Sequence, residues 1–391
     1  MAIAREAFRA RFFPDTTDAD WHDWRWQLRH RFRNENDLCR IMQLSAQETL
    51  ALRGAAGALP LAITPYYASL LDPDDATQPL RRTVVPVSLE SRHSVGEQSD
   101  PLHEEGSTVR PGLVHRYPDR VLFLVTDHCS VFCRYCTRSR LVGQASDTSP
   151  SRRTWQGAID YIADHVEVRD VLLSGGDPLT LPDSELEWLL TRLRAIPHVE
   201  LIRIGTKVPL VLPQRVTPDL TTMLARFHPL WMSIHATHPD ELTEESSAAL
   251  AQLANAGIPL GSQTVLLSGI NDSPETLRQL MHGLVRRRVK PYYLYQCDPI
   301  LGSSQFRTPV KRGLELIGSL RGHTTGYAVP TYVIDAPGGG GKIPIQPETI
   351  VARDAAGLTL RGFQGTLFRY PDVTDDSAEF FQETTTPNGL P

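Results

Sequence analysis

Short apolar runs recur along the middle of the chain, and amphipathic stretches of helical length separate them. Six runs have the length of strands and cover residues 121–125, 170–174, 201–205, 230–234, 260–265 and 290–295. Helical patterns, such as those at 184–195 and 239–257, lie between them. Strands that alternate with helices are typical of βα units around a parallel sheet. The pattern therefore predicts an α/β fold with a partial parallel (β/α)6 barrel.

The regions on either side of this core have different patterns. Residues 1–60 read as helical, and Trp21, Trp24 and Trp26 are predicted to pack that segment against the main domain. Residues 60–115 are rich in Pro and Asp and predict an extended connector. We therefore expect four regions, listed in chain order: a helical segment with its connector (1–114), the barrel core (115–309), a C-terminal segment (310–371) and a mobile tail (372–391).

The composition is that of an ordinary soluble globular protein. Hydrophobic residues make up 41% and charged residues 22% of the 391 positions. The net charge of −5 gives no reason to expect a nucleic-acid or membrane partner. Residues 1–11 lack the apolar stretch of a signal peptide. These features predict a cytoplasmic protein.

Three of the five cysteines form a compact motif behind the first predicted strand. Cys129, Cys133 and Cys136 have the spacing CxxxCxxC, and clustered thiols in a reducing compartment point to metal or catalysis. Three thiolates can hold a [4Fe–4S] cluster and leave its fourth iron open. Zinc or structural thiols are the alternatives, but zinc would require a fourth ligand. The motif resembles that of the radical S-adenosylmethionine (SAM) superfamily, which implies cleavage of SAM to a 5′-deoxyadenosyl radical.

A glycine-containing segment follows the second predicted strand. It consists of Ser174, Gly175, Gly176 and Asp177. Glycines allow a backbone to come close to a ligand, although a simple turn would also explain them. In the superfamily the matching segment contacts the amino group of SAM, so the resemblance implies that these residues bind SAM.

One lysine follows a run of four glycines. Lys342 comes directly after residues 338–341, all of which are glycine. Such a run is usually a flexible loop. Lysine is also the residue that forms a Schiff base with pyridoxal 5′-phosphate (PLP), and a glycine arm would let it move away when substrate binds.

Together these features resemble the lysine 2,3-aminomutase family, from about residue 21 to about residue 347. The matching stretches cover residues 21–31, 62–67, 100–104, 115–120, 129–138, 295–298, 323–330 and 335–342. The resemblance implies an isomerase with a barrel of radical SAM type, an N-terminal helical extension and a C-terminal PLP-binding extension. It implies a [4Fe–4S] cluster, SAM and PLP as cofactors.

The resemblance also implies a role for each matching residue. The implied roles are Lys342 for the covalent PLP link, Arg116 and Arg120 near the PLP phosphate, Tyr117 beside its ring, His235 and Gln263 along the SAM site, Arg138 for the substrate carboxylate, and Asp298 and Asp335 for the distal ammonium of lysine. Guanidinium and carboxylate groups suit these tasks. From the residues alone, the arginines are as well explained by surface ion pairs and Asp335 by a turn.

The implied reaction converts L-lysine to β-lysine. The radical removes hydrogen from Cβ, and the amino group then migrates from C2 to C3. The alternatives are an arginine or other basic amino acid 2,3-aminomutase, a SAM-dependent iron–sulfur enzyme that modifies a macromolecule, and a non-enzymatic iron–sulfur protein, which would not explain Lys342. The expected partners are a flavodoxin- or ferredoxin-type electron donor and further copies of the chain.

The chain departs from the family in its cysteines. Well-studied bacterial relatives carry a C-terminal cysteine cluster that binds zinc between subunits, whereas this sequence has no cysteine after Cys297. We therefore expect no zinc, and the oligomeric state stays open. Cys39 and Cys297 are predicted to be buried thiols.

Overall fold

The N-terminal region is built from short helices with well-formed caps. The computed structural model describes residues 5–54, 59–143, 150–354 and 356–372, so the predicted mobile tail beyond residue 372 lies outside the described residues. The helices of this region are α1 Arg5–Phe12, α2 Asp18–His22, α3 Trp24–Arg29, α4 Glu35–Cys39, α5 Ala46–Arg53, α6 Pro65–Ala68 and α7 Pro79–Val84. Side chains of Thr17, Asp23 and Ser45 accept hydrogen bonds from the first backbone amides of α2, α3 and α5. The predicted connector is not extended throughout, because it contains α6 and α7, each with a proline in its first turn.

The core is a curved sheet of ten strands within the described residues. Its strands are β1 Thr108–Arg110, β2 Leu113–Tyr117, β3 Arg120–Thr126, β4 Asp170–Gly175, β5 Leu201–Thr206, β6 Leu230–His235, β7 Leu260–Leu266, β8 Val289–Gln296, β9 Thr331–Ala336 and β10 Gly341–Pro344, in that spatial order. Strands β3 to β9 run parallel, and β1, β2 and β10 are antiparallel to their neighbours. All six predicted strands are present as β3 to β8, and the C-terminal segment adds β9 and β10.

Helices cover the outer face of the parallel strands. They are α8 Arg152–Asp164, α9 Asp183–Arg194, α10 Val208–Val211, α11 Pro218–Ala225, α12 Glu244–Asn255, α13 Pro274–Arg286 and α14 Val310–Leu320. Their apolar faces pack on alternate residues of the strands, for example Val121, Phe123 and Val125 of β3. The helix predicted over 239–257 is a 3-10 turn, Pro239–Glu241, followed by α12.

The C-terminal segment comes back into contact with a strand near the start of the sheet. The hydroxyl of Tyr117 on β2 accepts a hydrogen bond of 2.9 Å from the backbone amide of Lys342 on β10. These strands lie near opposite ends of the strand order. The contact therefore brings the C-terminal segment to the mouth of a barrel-like core.

The N-terminal aromatic residues divide between two clusters. Trp24 packs in the main core, with the guanidinium carbon of Arg215 4.5 Å from its ring centre, whereas Trp21 and Trp26 belong to a separate N-terminal cluster. The prediction that Cys39 is buried is wrong: α4 turns Leu38 inward and leaves Cys39 exposed at its last position. Cys297 is buried, as predicted.

A second, smaller sheet follows the core. It is antiparallel and comprises β11 Ile350–Asp354, β12 Gly357–Arg361 and β13 Leu367–Tyr370. Among all the helices described here, none has the length and apolar character needed to cross a bilayer.

Candidate active site

The three-cysteine loop follows β3 and is fastened to the N-terminal region. Backbone amides of Phe132 and Arg134 donate to the carbonyls of Ala62 (3.2 Å) and Thr83 (2.8 Å). The buried Arg134 side chain pairs with Glu90 and donates to the carbonyls of residues 59 and 60. Arg31, which lies just after α3, donates to the carbonyl of Cys129 at 2.5 Å. The N-terminal helices thus shape the loop that carries the cysteines.

The three thiols influence one another electrostatically. Burial raises the pKa of Cys129 well above its usual value, and negative charge on Cys136 and Cys133 adds to the effect. Burial and charge on Cys133 likewise raise the pKa of Cys136 to about 11. Within the described ranges, no three His, Cys, Asp or Glu side chains are arranged around a single metal ion. A [4Fe–4S] cluster instead binds each thiolate to a different iron. Three half-buried thiols on one loop, close enough for the charge of one to raise the pKa of another, fit that group.

The glycines at the end of β4 allow this strand to approach the backbone of the cysteine loop closely. A Cβ on Gly175 would lie 2.3 Å from the carbonyl oxygen of Thr126, and one on Gly176 would lie 2.2 Å from that of His128. The amides of Gly176 and Asp177 donate to these same carbonyls at 2.6 and 2.7 Å. The segment therefore lies directly against the cysteine loop. Ser174, at the end of β4, is buried beside it.

The Asp177 carboxylate is engaged within the protein. It accepts hydrogen bonds from the Thr206 hydroxyl (2.6 Å) and from the amides of Lys207 (2.7 Å), Val208 (3.1 Å) and Leu179 (3.1 Å). Its surroundings tie the end of β4 to the end of β5. The geometry gives this side chain a supporting task next to the predicted SAM site.

A buried network that the sequence did not single out lies behind the cysteine loop. The Lys207 ammonium pairs with Glu241 at 2.6 Å and donates to the Thr237 hydroxyl at 3.0 Å. The Tyr135 hydroxyl lies 2.7 Å from the same Thr237 oxygen, and the Lys207 charge acts to lower the pKa of the Cys133 thiol against the larger effect of burial. Neither Lys207 nor Glu241 lies in a stretch that resembles the family, so no pattern in the sequence pointed to them.

His235 and Gln263 stand side by side on neighbouring strands. They are register partners: His235 is the last residue of β6, and Gln263 lies in the middle of β7. Burial, with the nearby charges of Lys207 and Arg138, lowers the pKa of His235 to about 4. The imidazole is therefore neutral at pH 7, which suits hydrogen bonding to an uncharged nucleoside better than binding an anion.

Lys342 lies among aromatic and charged groups at the barrel mouth. Its ammonium is 3.2 Å from Asp335 and 5.6 Å from the ring centre of Tyr295. Arg120 lies with its guanidinium carbon 4.1 Å from the Tyr117 ring centre. These groups come from β2, β3, β8, β9 and β10, which the curl of the sheet brings together.

Arg116 has an unused donor at this place. It donates through Nη2 to the carbonyl of Leu102, while its Nε is buried without a hydrogen-bond partner in the described structure. A Cβ on Gly339 would lie 3.6 Å from this Nε, so the orphaned N–H is next to the glycine arm that carries Lys342. A free guanidinium N–H and a lysine on such an arm fit the phosphate and aldehyde ends of PLP. The residues present are thus chemically suited to that cofactor.

The predicted substrate residues lie between these two cofactor regions. Arg138 forms an ion pair with the buried Glu104 at 2.8 Å, and the charge of Asp298 also acts on Arg138. Asp298 accepts a hydrogen bond of 2.7 Å from the Thr137 hydroxyl. Burial is the main cause that raises the pKa of Asp298 to about 6, and the charge of Asp335 adds to it. The structure thus brings Arg138, Asp298 and Asp335 to one site. Glu104 and Thr137 lie there too, although no sequence pattern assigned them a role.

Known proteins similar to this chain come from one family of enzymes. The family model described as Lysine-2,3-aminomutase matches residues 317–388, and that of the Radical SAM superfamily matches residues 123–281. The chain is 50% identical over 364 residues to L-lysine 2,3-aminomutase of Clostridium subterminale, which covers 93% of this chain and 87% of that protein. It is 49% identical to L-lysine 2,3-aminomutase of Bacillus subtilis (92% and 76% covered) and 41% identical to glutamate 2,3-aminomutase of Clostridioides difficile (91% and 84% covered).

Proposed function

We propose, from the premise that the chain belongs to the lysine 2,3-aminomutase family of radical SAM isomerases, that it converts L-lysine to β-lysine. Membership implies a [4Fe–4S] cluster, SAM and PLP. When bound, these groups supply the 5′-deoxyadenosyl radical that takes hydrogen from Cβ and the carrier for the migrating amino group. The protein's own task is to hold the substrate in register with both and to exclude water.

The observation that carries the choice of substrate is the pair of carboxylates at one end of the site. Asp298 and Asp335 lie close enough for the charge of one to raise the pKa of the other. A buried cation requires opposite charge, which a lysine ammonium would find here. The side chain of glutamate would instead bring a third negative charge to the same place. The pair therefore favours a basic amino acid over the glutamate used by one relative.

We assign the remaining groups by their positions around that pair. Arg138 binds the substrate carboxylate, and Cys129, Cys133 and Cys136 ligate the cluster. Lys342 carries PLP, with Arg116 and Arg120 toward its phosphate and Tyr117 beside its ring. The residues proposed to surround SAM are Ser174, Gly175, Gly176, Asp177, His235 and Gln263, with Asp177 acting through the backbone that it holds.

The proposed reaction also requires an electron donor and a compartment in which the thiolates stay reduced. A one-electron reductant of flavodoxin or ferredoxin type is proposed to reduce the cluster, and a reducing cytoplasm would preserve its thiolates. We also propose a homo-oligomer. The division into regions 1–114, 115–309 and 310–371 remains a prediction, with β9 and β10 of the last region contributing to the core sheet.

Product analysis after anaerobic incubation with single amino acids tests the proposal. The purified, reconstituted protein is given lysine, arginine or glutamate with SAM, PLP and dithionite. We expect β-lysine to form fastest. If arginine is converted faster, arginine is the substrate, since two carboxylates can also bind a guanidinium. Preferred conversion of glutamate would contradict the assignment of Asp298 and Asp335.

A further inference from the structure

Arg138 is already held by a carboxylate of the protein. Its Nη2 donates to Oε1 of Glu104 at 2.8 Å, and its Nε lies 3.1 Å from both oxygens of Glu104. Only 6% of the Glu104 side chain is exposed. Such a two-point contact fixes the plane of a guanidinium as well as its position.

Glu104 is itself held on several sides. The Asp100 carboxylate accepts from the backbone amides of Glu104 (3.1 Å) and Glu105 (2.9 Å), and the Thr108 hydroxyl donates to the Glu104 carbonyl at 2.8 Å. Arg140 pairs with Asp100 at 3.0 Å and approaches Glu104 at 3.7 Å. The carboxylate that contacts Arg138 is therefore a fixed support and not a mobile surface group.

This arrangement leaves one edge of the guanidinium for the substrate. Glu104 uses Nε and Nη2, while Nη1 lies 3.4 Å from the hydroxyl of Ser174, on the side of the predicted SAM site. We propose that Glu104 is a positioning residue: it fixes the orientation of Arg138 and so decides where the Cβ of the bound amino acid lies. The inference rests on the proposed function in one respect, that Arg138 binds the substrate carboxylate.

The negative charge of Glu104 distinguishes a positioning role from a direct role in substrate binding. Glu104 neutralises Arg138, so it adds geometry and not attraction for an incoming carboxylate. In Glu104→Gln the guanidinium keeps its charge and loses a competing anion, so affinity for the amino acid should be retained. Its orientation is lost, and a misplacement of about 1 Å can lower a rate by about a hundredfold.

The test compares kcat with the dissociation constant of the amino acid. The constant is read from the change in PLP absorbance during anaerobic titration, and kcat from product formation. For Glu104→Gln we expect kcat to fall by about 10- to 100-fold, with the constant within about threefold of wild type. Glu105→Gln is the matched control, because its carboxylate contacts Arg140 and its side chain is 72% exposed; it should change neither quantity.

Glu104→Asp keeps the charge and gives a second measurement if the amide variant folds poorly. It should restore part of kcat, and iron content should match wild type in every variant compared. The inference is overturned if Glu104→Gln keeps kcat within about threefold, or if the dissociation constant rises more than about tenfold at unchanged kcat. Every α-amino acid carries the carboxylate, so the comparison uses whichever one the wild type converts. Failure of lysine as substrate therefore remains distinct from failure of this inference.

Discussion

At the residue scale, the half-buried carboxyl of Asp298 links substrate recognition to pH. Burial raises its pKa to about 6, so the group loses its charge as pH falls through that value. A protonated carboxyl cannot neutralise an ammonium. We expect kcat/KM for lysine to fall by about tenfold per pH unit below pH 6. Steady-state rates between pH 5 and pH 8, with a reductant that does not titrate in this range, would measure this acidic limb of the pH profile.

Two variants identify the group responsible. The Asp298→Asn profile should lack the acidic limb. Its kcat/KM should be lower by about a hundred- to a few-thousand-fold, because the ammonium of the bound lysine loses one of its two carboxylate partners and Asp335 alone cannot compensate for that loss. In Asp335→Asn the limb should persist but move to lower pH, since the charge of Asp335 contributes to the raised pKa of Asp298. A limb that is unchanged in Asp298→Asn would exclude this carboxyl as its source.

The cysteines allow a second prediction at this scale. Replacing Cys129, Cys133 or Cys136 by alanine should remove nearly all cluster iron, because the loop supplies three ligands and each is required. Cys39→Ala provides the matched control, as this thiol is exposed on α4 and distant in sequence from the loop. Iron content per chain after anaerobic reconstitution is the measurement. Wild-type iron in any of the three loop variants would remove that residue from the ligand set.

At the scale of elements, the contact between the end of β4 and the cysteine loop depends on Gly176. Its Cβ in Gly176→Ala would lie 2.2 Å from the carbonyl oxygen of His128, so the two backbones must separate. Overpacking of this kind costs about 1–3 kcal/mol. We expect a loss of that size in the free energy of unfolding, together with weaker retention of iron.

Gly157→Ala is the control for this prediction. Gly157 lies inside α8, and a Cβ there meets no atom within 4 Å. Because alanine is the better helix former, this change should stabilise the protein by up to about 1 kcal/mol. Denaturant unfolding of both variants under the same conditions tests the pair. Equal stability of the two proteins would show that the close approach of β4 to the loop is not a constraint.

At the scale of the whole molecule, the return of the C-terminal segment to β2 places Lys342 at the barrel mouth. Borohydride reduction of the PLP-loaded protein should fix the pyridoxyl group on Lys342, and Lys342→Ala should abolish the trapped product. Peptide mapping by mass spectrometry locates the modified residue. Recovery of the group on Lys290, whose ammonium donates to backbone carbonyls, or on the buried Lys207 would contradict the assignment.

Local sequence determined much of this protein. The six apolar runs correspond to β3 to β8 within one residue at each end. Strands of a parallel sheet are covered by helices, so each strand needs an apolar run of its own length whatever its place in the sheet. The CxxxCxxC spacing and the glycine arm before Lys342 likewise identify chemistry from neighbouring residues alone. The resemblance to a family supplied the roles of Arg138, Asp298 and Asp335, which no local pattern distinguishes from a surface charge or a turn.

Tertiary structure decided what depends on contacts between distant residues. Glu104 lies 34 positions before Arg138, and Thr137 lies 161 positions before Asp298. No local sequence pattern could therefore predict that these side chains pair. The same holds for Lys207 and Glu241, and for β9, whose place beside β8 brings Asp335 to the site. Cys39 shows the converse, since a thiol that composition predicts to be buried is exposed when its helix turns another side chain inward. Hydrophobic periodicity fixes which face of a helix or strand is buried. The partner of a charged side chain is fixed only when folding brings distant segments of the chain together, as it does for Glu104 and Arg138.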